Sequence, residues 1–161
     1  MGGDRQIFLF VGENQEQLMA GEGKRFVTPG DVETQVFDWG VIRFMSEPRV
    51  TAAERITAGV VTLGPGKGHT RHNHPGVEEI LYILTGSGDQ MVEDAEGNPV
   101  RRNVHAGDLV HIPPDVFHET INAGTEPMQL LAVYSPPGPE ALLRAMPECR
   151  IVPPGQQTDR P

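Results

Sequence analysis

The chain has 161 residues, 37% of them hydrophobic, which is enough for one domain with a self-sufficient apolar core. Its 13 basic and 22 acidic side chains give a net charge of −9, a balance that repels phosphate backbones and anionic bilayers, so neither nucleic acid nor membrane is expected as a partner. Cys149 is the only cysteine and rules out an intrachain disulfide.

In chain order, the apolar run at residues 7–11 (IFLFV) is too short for a signal-peptide core or a membrane span. It reads as an edge strand, and the expected compartment is the cytoplasm. Residues 12–25 read as a polar loop, and VETQVFDWGVIRFM alternates enough for one or two strands. From Ile56 onward, short apolar runs are broken by turn residues. ITAGVVTL stops at GPGKG, EEILYILTG at GSG, DQMVED at AEGNP, and PVRRNVH at AGD. LVHIPP, HETIN and MQLLAVYS follow in the same manner. Such punctuation predicts an all-β sandwich or small barrel joined mainly by hairpins. In PGPEALLRAMP, Pro139 suits a first helical position, Glu140 the positive helix start, and Pro147 a stop, so one short helix is expected. One more strand and a polar tail end the chain.

Chemistry concentrates in GKGHTRHNHPGVEEILYILTG, where His69, His72 and His74 precede Glu78 and Glu79. His72 and His74 are one residue apart, so on a strand they share a face. Glu79 opens the next apolar strand beyond the Pro75-Gly76 turn, and His118 opens a later one. Three imidazoles and a carboxylate suit one divalent transition metal ion: Mn, Fe, Co, Ni, Cu or Zn. A six-coordinate ion held by four protein donors would keep two positions open for water, O2 or a bidentate substrate. His69, His105 and His111 read as turn, surface or satisfied strand residues, and Arg71 as part of a solvated turn; the alternative is that His69 or Arg71 reaches the mouth of the site and meets an anionic substrate. Trp39 and Phe117 read as packing, and Met91 beside Gln90 as core filling. Asn122 reads as a turn or hydrogen-bonding residue.

At these residues the sequence resembles the cupin superfamily of small β-barrels. Its first motif, G-x5-H-x-H-x(3,4)-E-x6-G, is met by Gly66, His72, His74, Glu79 and Gly86. The motif's variable gap admits Glu78, but counting back from Gly86 selects Glu79. The second motif, G-x5-P-x-G-x2-H-x3-N, is met by Gly107, Pro113, His118 and Asn122, with Asp115 in place of its glycine. Asp tolerates the left-handed turn that such a glycine adopts. The resemblance implies a single cupin-type (jelly-roll) barrel over 46–135, with an N-terminal arm carrying extra strands over 1–45 and a C-terminal helix and tail over 136–161. It also implies that His72, His74, Glu79 and His118 hold one metal ion.

Function follows only coarsely, because one fold hosts many reactions. The expectation is a metal-dependent enzyme acting on a small, oxygen-rich, chelating substrate, by dioxygenase, oxalate-type, or isomerase or lyase chemistry. No general acid or other catalytic residue beyond the ligands can be assigned. The alternative is a non-catalytic protein that binds a sugar or carboxylate with the help of a metal. Strands ahead of the barrel suggest a homodimer that covers an otherwise open edge.

Overall fold

The computed structural model describes residues 22–158. The strand expected at 7–11, and most of the polar loop after it, lie outside these residues. Eleven strands carry the fold: β1 (Thr34–Val36), β2 (Val41–Ser46), β3 (Thr57–Leu63), β4 (Gly68–His72), β5 (Glu78–Thr85), β6 (Ser87–Glu93), β7 (Pro99–His105), β8 (Leu109–Ile112), β9 (His118–Asn122), β10 (Met128–Ser135) and β11 (Arg150–Val152). They form a seven-stranded sheet in the order β11-β1-β2-β3-β10-β5-β8 and a four-stranded sheet in the order β4-β9-β6-β7. Every pairing is antiparallel. One apolar cluster draws on both sheets, from Ile42, Leu63, Leu81 and Leu130 to Val104, with Val92 packed against it. The all-β, jelly-roll expectation holds.

Alternation explains why β5 lies where it does. Glu79, Leu81 and Ile83 point inward, and Glu78, Ile80, Tyr82 and Leu84 point outward. Gly86 ends the strand with φ +83°, a conformation that costs other residues more. Gly68 opens β4 for a different reason: a Cβ there would lie 2.0 Å from the Thr120 carbonyl oxygen. Only glycine lets β4 run this close to β9, and that approach brings His72 opposite His118 in register.

The expected helix is α2 (Pro139–Ala145), with Pro139 in its first turn and the Glu140 carboxylate accepting from Gly138 N–H at 2.9 Å. Its Leu143 enters the core. Two elements were not anticipated: a 3-10 turn at Pro29–Asp31 and a single helical turn, α1 (Pro48–Thr51). Both are short and start at a proline, a signal that also reads as loop. No helix among the described residues is long and apolar enough to cross a membrane.

Candidate metal centre

His72 ends β4, His74 follows in the loop to β5, Glu79 is the second residue of β5, and His118 opens β9. The fold brings all four together. The ligating atoms of His72, His74 and His118 lie within 4.8 Å of one another. Glu79 Oε2 lies 2.9 Å from His118 Nε2 and 3.4 Å from His74 Nε2. Neither approach has hydrogen-bond geometry, so His74 Nε2, His118 Nε2 and Glu79 Oε2 are all buried without a partner. Orphaned buried polar atoms are rare because each costs on the order of 1–3 kcal/mol. Three that converge on one point fit a shared cation.

Backbone carbonyls fix the imidazoles. The Thr70 carbonyl lies 2.7 Å from His72 Nδ1, and the Val116 carbonyl 3.1 Å from His118 Nδ1. A carbonyl only accepts, so both Nδ1 atoms carry the proton and both Nε2 lone pairs are free to ligate. This is the usual outer support of a ligating histidine. Burial, then the neighbouring His69 and His118, lowers the His72 pKa from 6.5 to about 2, which keeps the ring neutral. Burial opposes the Glu79 charge, but His118 and His74 outweigh it and lower that pKa from 4.5 to about 2. Three imidazole nitrogens and one anionic oxygen are the donor types that suit a divalent first-row ion.

The donors line a cup with about 40 Å³ of internal room. Its other walls include Ile42, Val61, Leu63, Leu81, Leu130 and Leu143, with Trp39, His69, Thr120 and Tyr134. The Tyr134 ring meets the His74 ring edge-on at 5.3 Å. Burial, and then the Glu79 carboxylate, hold its phenol well above the ordinary value, so it remains a neutral donor. No lysine or arginine is among the described residues lining the cup.

Of the readings open for His69, the structure takes the strand residue that reaches the site: it lies on β4, lines the cup, and packs its ring 3.6 Å from that of His72. Burial, then His74 and His118, lowers its pKa from 6.5 to about 4. Trp39, expected only to pack, is also a wall of the cup and stacks on His69 at 4.7 Å. His105 is exposed, and His111 pairs with outward Glu78 at 2.6 Å. Arg71 binds Glu93 at 2.7 Å and caps the Phe117 ring at 3.7 Å, away from the cup. Gln90 and Met91 are both buried, and Gln90 accepts from the cup-lining Thr120 hydroxyl at 2.7 Å. Asn122 donates to the carbonyls of Leu63 and Glu126 and accepts from Gly124 N–H, as a turn-fixing residue should.

The fold and donor set define a class, and comparison with known proteins agrees with it. Residues 59–134 match the family model described as the cupin domain. A glucose-6-phosphate isomerase of Thermococcus onnurineus is 37% identical over 42% of this chain and 35% of its own length. An uncharacterized protein of Methanocaldococcus jannaschii is 31% identical over 62% of this chain and 76% of its own. A Lactobacillus farciminis oxalate decarboxylase, solved as a formate complex, superposes with TM-score 0.62 at 29% identity, over 67% of this chain and 32% of that one. A Bacillus subtilis oxalate decarboxylase, studied for its Mn(II) centres, superposes with TM-score 0.57 at 25% identity, over 62% and 26%. The chain thus spans about a third of the isomerase and of the first decarboxylase. It belongs to the cupin superfamily.

Proposed function

We propose that this cupin is a metal-dependent enzyme acting on a small substrate that chelates through two oxygens. The observation that carries the reading is the convergence of His74 Nε2, His118 Nε2 and Glu79 Oε2, buried and unpartnered, beside His72 in a cup whose other walls are largely apolar. A divalent ion held there supplies Lewis acidity toward a carbonyl or carboxylate, or redox chemistry with O2 if the ion is redox-active. His72 and His118 hold their rings in the ligating tautomer through the Thr70 and Val116 carbonyls. The leucine, isoleucine and valine walls exclude water and strengthen electrostatic interactions inside the cup. Neutral Tyr134, beside Glu79, offers a hydroxyl rather than a charge.

The cup narrows the substrate class. A sugar phosphate needs cationic partners for its phosphate and many hydroxyl partners, and the described lining has no lysine or arginine and about 40 Å³ of room. A compact head of oxalate or 1,3-dicarbonyl size fits better, and the two decarboxylase likenesses point the same way. Manganese is the first ion to try, by analogy with the Bacillus subtilis enzyme. One observation favours the alternative, a non-catalytic binder: Glu79 is the only carboxylate among the described residues lining the cup, and we assign it to the metal.

The test is metal content of protein purified without chelators, for the parent chain and His72→Ala, followed by O2 uptake and product analysis with oxalate and acetylacetone. One bound equivalent, lost in the variant, with turnover of either compound, is the expected result. Binding of both compounds without turnover selects the binder. Absence of metal after reconstitution sinks the metalloprotein reading.

A further inference from the structure

Trp39 lies in the tight connection between β1 and β2, which Phe37 N–H closes onto the Gly40 carbonyl at 2.8 Å. Its ring is near-parallel to two others, Phe37 (4.7 Å, 11°) and His69 (4.7 Å, 14°). An indole stacked on two such rings is a fixed plate rather than a swinging flap. It lines the metal cup. It also lines a second cavity of about 440 Å³, with Asp38, Gly40, Thr62, Gly64, Pro65 and Lys67. Among the described residues, Trp39 alone lines both.

The two cavities differ in character. The inner one is apolar and small; the outer one, some ten times larger, is formed by turn backbone and by Asp38, Thr62 and Lys67. We propose that Trp39 is a specificity-determining residue, a rigid partition that separates the metal cup from this outer cavity and so limits the size of what reaches His72 and His118. Removing the indole joins the two spaces and admits ligands whose chelating head carries a bulky tail. The size limit at the metal rests on the reading given under Proposed function; the partition itself does not.

Two measurements on the full-length protein test this separately. The first uses metal-free protein and diethyl pyrocarbonate, with modification of each histidine followed by peptide mass spectrometry. Trp39→Ala should raise the rates at His72 and His118 about tenfold or more, Trp39→Phe should stay within about twofold of the parent, and exposed His105 should not change. Parent-like rates at His72 and His118 in Trp39→Ala overturn the partition, as does an equal rise at His105, which would mean general loosening. If Trp39→Ala does not fold, Trp39→Val takes its place. The second uses zinc-loaded protein stripped by iminodiacetate or by bulky terpyridine. Trp39→Ala should speed extraction by terpyridine alone, by about tenfold. Equal acceleration by both chelators, or by neither, overturns the size limit. A parent protein that binds no zinc removes the metal reading, and the first measurement still decides the partition.

Discussion

Asp115 holds the two ligand-bearing segments together from a backbone conformation that few residues accept. It sits at φ 67°, where the cupin motif has glycine. Its Oδ1 accepts from Gly76 N–H at 3.0 Å, its carbonyl accepts from the Asn73 amide at 3.0 Å, and its own N–H reaches the His74 carbonyl at 3.3 Å. A glycine could adopt the angle but could not make the side-chain bond. Asp115→Ala loses the bond and must hold the left-handed angle without it, so its cost is about 1–2 kcal/mol in urea unfolding. Asp115→Asn should be nearly neutral, since asparagine keeps both the acceptor and the tolerance for that angle. Asp115→Gly should fall between them. At this scale the four ligand residues were legible because their spacing is chemically specific. The role of Asp115 was only half legible: its tolerance of the turn followed from residue type, but its partners 39 to 42 residues earlier did not.

Among the elements, β4 shows why the place of His69 stayed open in the sequence. Counting in twos from His72 places His69 on the opposite face. The pairing of β4 with β9 shifts register between His69 and His72, which resets the parity and turns both rings toward the cup. An irregularity of this kind leaves no mark in a polar stretch such as GHTRH. By contrast, β5 alternates without interruption, and its inward and outward residues could be read directly. Trp39 was opaque for a third reason: it lies in a connection that has no period at all. The two rings of β4 also give the strand a pH response. Both are held neutral in the folded, metal-free protein, with pKa values lowered from 6.5 to about 4 for His69 and about 2 for His72. As pH falls below 6.5 the unfolded chain gains protons that the folded chain refuses, so stability declines from 6.5 toward those lower values. The slope is at most about 1.4 kcal/mol per pH unit for each ring. Urea midpoints measured from pH 7 to pH 4 should fall, and His69→Gln should flatten part of that fall.

Taken whole, the barrel depends on an ion cluster whose residues do not themselves line the cup. Arg144 of α2 binds both oxygens of Glu47 at 2.7 and 2.9 Å, and its Nε pairs with Glu33, which Arg49 also approaches at 3.6 Å. Glu47 is 3% exposed, so removing its partner strands a carboxylate out of reach of water. Arg144→Met should therefore cost about 2–3 kcal/mol, less than a fully buried pair because Arg144 keeps some solvent contact. Arg144→Met combined with Glu47→Gln should recover a good part, as a double-mutant cycle in urea would show. The adjacent Leu143 is a wall of the cup, so this anchor also positions the site. Nothing in the local sequence pairs residue 144 with residues 33 and 47; only the packing of α2 against the segments that carry them does.

The stacked rings have an engineering consequence. Phe37, Trp39, His69 and His72 form one continuous column that ends on a proposed ligand. The last imidazole is held at its edge by the Thr70 carbonyl and at its face by His69, so cup volume and ring placement are not independent parameters. A redesign that widens the cavity at residue 39 also removes the plate stacked on His69. Substitutions at 39 and 69 are therefore best chosen as a pair, with total ring thickness conserved.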